Sequence, residues 1–232
     1  MSTDGPVPGG RPLDLLQVLR HTAVTVTPSL RHTEIVDRRG LLGLLQHGEP
    51  DDGRVLVLCG GAFGGLLGPA EGLYHHLGSV LAEVGVCTIR VDYRIPGHLS
   101  SCILDVAVAI DLAHRAGGSR FMVVGHSFGG AVAIGAAVNL PDLVVGVATL
   151  ATQSAGCEQA ALLGSRPLLL IHGDQDDIIP VGASETVRTF AGTGEVVVLP
   201  GSDHMLTTAA EDLRGRLPRW ILRAFDGEAE PF

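Results

Sequence analysis

The segment Val123-Val124-Gly125-His126-Ser127-Phe128-Gly129-Gly130 joins an apolar strand pattern to a helical one, and it decides the fold. Residues 121–124 before the turn are continuously apolar, and residues 131–139 after it are mostly small. Glycines on both sides of Ser127 allow a turn so tight that its central residue adopts a strained conformation. The pattern therefore predicts a serine exposed at the end of a buried strand, and Ser127 is the candidate nucleophile.

Strand and helix patterns alternate on both sides of this turn. Apolar runs of strand length lie at 55–58, 87–92, 121–124, 144–150, 168–171 and 195–199, and helical patterns lie at 73–84, 103–116, 131–139, 182–190 and 211–225. Three short strand patterns at 23–27, 31–36 and 41–46 come first. This order predicts the α/β class, with antiparallel N-terminal strands leading into a mostly parallel central sheet that carries helices on both faces.

The length and composition favour one domain. A chain of 232 residues with 46% hydrophobic residues can bury one full core. We expect that domain at 13–225, between a flexible N-terminal segment at 1–12 and a flexible acidic tail at 226–232. Only 18% of the residues are charged and the formal net charge is -9, so nucleic acid is excluded as a partner.

The sequence shows neither a secretory signal nor an apolar run near the ~20 residues that span a bilayer. The four cysteines, Cys59, Cys87, Cys102 and Cys157, lack the short paired spacing of zinc and redox sites. We therefore expect reduced thiols, no membrane span, no bound metal and a cytoplasmic protein.

Two later strand ends carry further candidate side chains. The segment Leu170-Ile171-His172-Gly173-Asp174-Gln175-Asp176-Asp177-Ile178-Ile179-Pro180 offers three aspartates that could orient an imidazole, and we assign Asp177 to a solvated turn. The segment Leu199-Pro200-Gly201-Ser202-Asp203-His204-Met205 places His204 on a short loop after the last strand. A histidine titrates near neutrality, so His204 is the candidate general base.

In the order Ser, Asp, His, these three segments resemble the α/β-hydrolase superfamily from about residue 55 to the last helix. The family's HGxxD motif ends on its acid, so the resemblance selects Asp176 over Asp174. It also implies an oxyanion hole in the segment Cys59-Gly60-Gly61-Ala62-Phe63-Gly64-Gly65, here called the glycine loop. By similarity, the donors are the amide of Phe128 and that of Gly61 or Ala62, although Cys59 stands where many relatives have histidine.

The glycine loop also allows other interpretations. A phosphate-binding loop would need a Lys-Ser/Thr ending or a GxGxxG spacing, and neither is present. Small residues are instead what backbone amides need to approach a developing oxyanion.

The resemblance implies a compact serine hydrolase that cleaves a carboxylic ester or thioester through an acyl-enzyme on Ser127, without a cofactor. Only residues 151–166 separate two successive strands where many relatives insert a lid, so we expect no lid domain. The compact carboxylesterases and dienelactone-hydrolase-like members are the most similar in this respect. An acyltransferase and a non-hydrolytic, ligand-binding or cyclase-like member of the same fold stay open as alternatives, as does the oligomeric state.

Other polar residues receive structural roles. His126 is interpreted as a support of the turn, because adjacent side chains in such a turn point apart. His75 and His76 point in different directions on a helix and are not expected to share a metal. Asp92 and Arg94 are expected to brace the loops around the site.

Overall fold

One sheet runs through the centre of the computed structural model, which describes residues 11–228 and 231–232. Within these residues the strands are β1 (Arg20–Thr27), β2 (Leu30–Val36), β3 (Leu41–His47), β4 (Arg54–Cys59), β5 (Cys87–Asp92), β6 (Arg120–His126), β7 (Val144–Leu150), β8 (Leu168–Gly173) and β9 (Glu195–Leu199). The α-helices are α1 (Pro69–Ala82), α2 (Leu99–Arg115), α3 (Phe128–Asn139), α4 (Gly182–Ala191) and α5 (Ala210–Phe225). Short 3₁₀ helices lie at Pro12–Leu15, Ala160–Leu163 and Thr207–Ala209.

The strand order in the sheet is β1-β2-β3-β5-β4-β6-β7-β8-β9. Strands β1, β2 and β3 are antiparallel, and β3 is also antiparallel to β5. From β5 to β9 all neighbouring strands are parallel. The predicted fold class, with antiparallel strands ahead of a mostly parallel sheet, is confirmed.

Each face of the sheet has its own core, because successive side chains of a strand point to opposite faces. On β4, Val55 and Val57 belong to the core that contains residues of α2, α3 and α4, whereas Leu56 and Leu58 belong to the core that contains residues of α1 and α5. All four side chains are fully buried. The continuous apolar run in this strand thus reflects a strand covered by helices on both faces.

The connection between β7 and β8 contains only the 3₁₀ helix Ala160–Leu163. As predicted, no lid domain is inserted here. Because the carboxyl ends of parallel strands meet at one edge of the sheet, the loops after β4, β6, β8 and β9 gather around that edge, and no separate domain covers it among residues 11–228.

The two predicted flexible ends are only partly described. Residues 1–10 and 229–230 lie outside the described residues. At the other end, the guanidinium of Arg216 lies 4.3 Å above the ring of Phe232, and the Phe232 amide donates to Glu195 at 2.9 Å. The proposed limits of the domain stay predictions.

No helix in the described part of the chain is both long and apolar enough to cross a membrane. All four cysteines are buried and unpaired.

Arg94 joins three parts of the fold through a buried ion-pair network. Its Nε donates to Asp105 of α2 at 2.5 Å, and its backbone amide donates to the same carboxylate at 2.9 Å. Its Nη1 donates to Asp37, in the turn between β2 and β3. The three side chains are almost completely shielded from solvent.

Replacing Arg94 with leucine should therefore lower the free energy of unfolding by about 3–5 kcal/mol, because two carboxylates would stay buried without their cation. Denaturant titration at pH 7 measures this loss. The matched control is Arg31→Ala. It breaks an ion pair between Arg31 and Glu49, and both of these side chains are about half exposed. Its cost should stay below about 1 kcal/mol; an equal loss in both variants would contradict the role given to Arg94.

Candidate active site

Ser127 lies in the sharp turn between β6 and α3. Its backbone angles are φ 57° and ψ -121°, a conformation that a residue with a side chain adopts at a cost of about 1–3 kcal/mol. The turn is held because the Ser127 amide donates to the Leu150 carbonyl at 2.8 Å and the Gly130 amide donates to the Ser127 carbonyl at 3.0 Å. Ser127 stays partly exposed at the carboxyl end of β6.

The glycines around Ser127 are required by close backbone contacts. A Cβ on Gly125 would lie 1.9 Å from the carbonyl oxygen of Gly129. A Cβ on Gly129 would lie 2.4 Å from the carbonyl oxygens of both Cys59 and Gly60. The turn is thus packed directly against the glycine loop, and neither position accepts a larger residue without moving backbone.

Asp176 and His204 form a hydrogen-bonded pair beside this turn. His204 Nδ1 lies 2.7 Å from Asp176 Oδ2, and the Asp176 side chain is fully buried while that of His204 is 10% exposed. With Nδ1 donating to the carboxylate, His204 Nε2 is the nitrogen left to accept a proton.

The surroundings of Asp176 keep it ionised. Burial by itself would raise its pKa, but hydrogen bonds from the Ile179 amide, the His204 ring and the Ile178 amide outweigh burial, so that its pKa lies below the ordinary value. The two amides donate to Oδ1 at 2.8 and 2.9 Å. The opposite oxygen, Oδ2, accepts from His204 and also lies near His172.

The three aspartates of the loop after β8 have different surroundings. Asp174 Oδ1 accepts from the Gly201 amide at 2.6 Å, which ties its loop to the turn after β9. Asp177 is exposed. Of the three, Asp176 is the one that contacts His204.

His172 has a place in the site that sequence reasoning did not give it. Its ring is fully buried, with Nδ1 2.7 Å from Ser184 Oγ and Nε2 2.8 Å from the Ile179 carbonyl oxygen. Nε2 also lies 3.1 Å from Asp176 Oδ2. His172 therefore holds the loop after β8 that carries Asp176, here called the acid loop. Its place at the start of the HGxxD motif was the available signal.

His126 connects the turn to the loop that carries His204. Its Nε2 donates to the His204 carbonyl oxygen at 3.0 Å, and the two ring centres are 4.9 Å apart. Among the described residues no hydrogen bond joins Ser127 itself to His204, and His126 supplies a hydrogen bond between the two segments. Burial lowers the pKa of His126 to about 4.

This buried, neutral histidine predicts a stability that depends on pH. Between pH 6.5 and about 4 the unfolded chain gains a proton at residue 126 that the folded chain does not bind, so stability falls as the pH falls through this window. His126 should contribute about 3 kcal/mol to that loss. Denaturant titrations at pH 7.5 and 4.5 should show a smaller difference for His126→Gln than for the unsubstituted protein; equal differences would contradict this assignment.

The glycine loop lies against Ser127. A Cβ on Gly61 would lie 3.9 Å from Ser127 Cβ and 3.7 Å from His126 Nδ1. Gly61 and Gly64 form an isolated antiparallel bridge around Ala62 and Phe63, and the Gly64 amide donates to the Gly61 carbonyl at 2.9 Å. Phe128 is the first residue of α3, so its amide has no acceptor within the helix.

The remaining polar residues considered from the sequence make contacts that stabilise the fold. His76 Nε2 lies 3.2 Å from the Arg214 carbonyl oxygen, while the ring of the adjacent His75 packs edge-on against that of His47. Arg94 joins the turn between β2 and β3 to α2 through Asp37 and Asp105. Within the described residues, no group of three or more His, Cys, Asp or Glu side chains is arranged to hold a metal ion.

Comparison with known proteins finds similarity at the level of structure. No family model matches the sequence. No curated protein matches it either. Among solved structures, a protein of unknown function from Agrobacterium tumefaciens, classed provisionally as an α/β hydrolase, has a TM-score of 0.72 at 19% identity, covering 87% of this chain and 99% of its own.

Two further solved structures superpose over nearly their whole length. Dienelactone hydrolase from Anabaena variabilis has a TM-score of 0.70 at 17% identity, covering 89% of this chain and 98% of its own. Est1E from Butyrivibrio proteoclasticus has a TM-score of 0.70 at 17% identity, covering 84% of this chain and 99% of its own. The architecture of these proteins is the architecture of this chain.

Proposed function

We propose that this chain, which has the α/β-hydrolase fold, is a serine hydrolase that cleaves carboxylic esters or thioesters. Ser127 is the nucleophile, His204 the general base and Asp176 the group that orients His204. The observation that carries the proposal is the 2.7 Å hydrogen bond between His204 and a buried Asp176, on loops that meet the strained turn at Ser127.

The reaction begins when His204 Nε2 takes the proton of the Ser127 hydroxyl and Oγ bonds to the acyl carbon. The carbonyl electron pair moves to oxygen, where the Phe128 amide and the amide of Gly61 or Ala62 stabilise the charge. The tetrahedral intermediate expels an alcohol or thiol, which receives its proton from His204. Water, deprotonated by the same nitrogen, then releases the acid and restores Ser127.

Asp176 contributes through its charge and its geometry. An ionised carboxylate at Nδ1 fixes the tautomer in which Nε2 is free, and it stabilises the imidazolium formed during attack. The lowered pKa of Asp176 supports this role, because the carboxylate stays charged at neutral pH.

Apolar side chains border the loops that carry these residues. Phe63 in the glycine loop is fully exposed, and Leu67, Ile178 and Met205 are also exposed on loops beside it, beside Asp176 and beside His204. Isolated exposed apolar residues are common, but four of them in or next to the loops that carry the site residues favour an apolar substrate group. We therefore propose esters or thioesters with an apolar acyl or aromatic group.

Replacing Phe63 with alanine should lower kcat/KM for aromatic and long-chain acyl esters by about tenfold while leaving acetyl esters almost unchanged. The reason is the loss of apolar area that is covered only when the larger groups bind. Steady-state kinetics on p-nitrophenyl acetate and p-nitrophenyl octanoate measure both values. The control is Leu162→Ala, which removes an exposed apolar residue from the connection between β7 and β8 and should change neither kcat/KM value. An equal loss for both esters in Phe63→Ala would contradict the assignment.

The proposed function is tested by a panel of p-nitrophenyl esters and acyl thioesters from acetyl to dodecanoyl, assayed with the purified full-length chain. Turnover of at least one series, with saturation, is the expected result. If no member of either series is hydrolysed faster than its background rate, the hydrolase assignment fails, and a ligand-binding role of the same fold becomes the better explanation.

A further inference from the structure

The chain contains two tyrosines, and they approach the same peptide segment from opposite faces of the sheet. Tyr74 belongs to α1 and is packed in the core formed with α5. Tyr93 directly follows β5 and is packed in the core formed with α2 and α3. Both rings are buried, so neither hydroxyl can be satisfied by bulk water.

Both hydroxyls donate to consecutive carbonyls where β4 passes into the glycine loop. Tyr74 Oη donates to the Cys59 carbonyl oxygen at 2.8 Å, and Tyr93 Oη donates to the Gly60 carbonyl oxygen at 3.2 Å. Burial raises the pKa of each phenol well above its ordinary value, so both remain donors throughout the neutral and alkaline range. The base of the glycine loop is thus fixed from both faces of the sheet.

The same two carbonyls are in contact with the turn that carries the nucleophile. A Cβ on Gly129 would lie 2.4 Å from each of these oxygens. Gly129 directly follows Phe128, whose amide is one proposed oxyanion donor, and Gly60 precedes the candidates for the other. The distance between the two donors is therefore set across this Gly129–Gly60 contact.

Tyr74 also contacts the chain just after the glycine loop, at Leu67 and Gly68. Its backbone amide donates to the Leu67 carbonyl at 3.0 Å. Its ring fills the space next to Gly68, where a Cβ would lie 2.4 Å from the ring carbon Cγ. One residue therefore holds the chain immediately before and shortly after the Gly61–Gly64 turn.

We propose that Tyr74 and Tyr93 are positioning residues. Their hydroxyls hold the glycine loop next to Ser127, so that the amide of Gly61 or Ala62 can bind the oxyanion. The proposal rests on the proposed hydrolase function for its kinetic consequence. The simpler explanation is that the hydroxyls only satisfy two buried carbonyls. That explanation predicts a loss of stability without a selective loss of transition-state binding.

Tyr74→Phe and Tyr93→Phe separate these two explanations, because each keeps the ring and removes one hydrogen bond. We expect kcat on a p-nitrophenyl ester to fall about tenfold in each, less than the ~10²–10³ that follows loss of an oxyanion donor itself. KM should change less than twofold. Phenylboronic acid forms a tetrahedral adduct on the serine, and its inhibition constant should rise by about the same factor as kcat falls. The matched control is Thr88→Val, which removes a buried, unpartnered hydroxyl from β5 and should leave all three constants unchanged.

Hydrogen–deuterium exchange gives a second measurement that does not depend on activity. The amides of residues 60–65 should exchange faster in both tyrosine variants than in Thr88→Val, whereas exchange in β8 should stay unchanged. Unaltered loop exchange, or full retention of kcat and boronate affinity in a less stable protein, would overturn the proposal. If the unsubstituted chain hydrolyses no ester, the proposed function fails, and loop exchange alone still decides whether the tyrosines hold the loop.

Discussion

Ser127→Ala is expected to lower kcat on any ester substrate by roughly 10⁴-fold or more, because no other group can form the acyl-enzyme. KM should change little, since the methyl group that replaces the hydroxymethyl leaves the surrounding surface intact. The concentration of folded protein must be determined independently of activity. Both proteins are prepared in parallel, so that contamination by other esterases is the same in each.

The free energy of unfolding of variants at residue 127 separates loss of catalysis from loss of the fold. Alanine at φ 57° experiences the same backbone strain as serine, so the free energy of unfolding should be unchanged. Ser127→Gly should be equally inactive but more stable by about 1 kcal/mol, because glycine adopts positive φ without a Cβ clash. An active Ser127→Ala protein would remove Ser127 from the mechanism.

Asp176→Asn is expected to lower kcat by about 10⁴-fold with the fold retained. An asparagine amide would donate to His204 Nδ1, so the ring proton would move to Nε2, the nitrogen that must accept the proton of Ser127. The kcat value at pH 7.5 measures the effect, and circular dichroism verifies the fold.

Asp174→Asn is the matched control for the acid. It makes the same change two residues away, on a carboxylate that accepts from the Gly201 amide and does not touch His204. Its kcat should stay within about threefold of the unsubstituted value, since only a turn contact weakens. Loss of activity in Asp174→Asn with activity retained in Asp176→Asn would transfer the acid role to Asp174.

Much of the fold could be predicted because its signals are local. The apolar run of β4 indicates a strand covered on both faces, and the glycines around Ser127 indicate a turn that tolerates no Cβ, which the contacts of Gly125 and Gly129 explain. The helical pattern predicted from residue 73 also matches the regular part of α1. The first turn of this helix is irregular, because the three residues at 70–72 have positive φ and the amide at position 70 donates to the Met205 carbonyl.

Contacts between distant segments could not be predicted in the same way. His172 appears in the sequence only as part of a motif, whereas its contacts with Ser184 and the acid loop depend on how α4 packs on β8. The contact of Tyr93 with Gly60 depends on β5 lying beside β4 in the sheet, and that of Tyr74 with Cys59 depends on how α1 packs on the sheet. Such hydrogen bonds leave no periodic pattern, because each is made by one side chain across the core.

The central claim is that Ser127 is an activated nucleophile, and covalent labelling with a fluorophosphonate tests it most directly. Intact-mass measurement followed by peptide mapping should show one adduct per chain, located on Ser127, and no adduct in Ser127→Ala. A chain that remains unlabelled, or one whose adduct lies on another residue, would contradict the account.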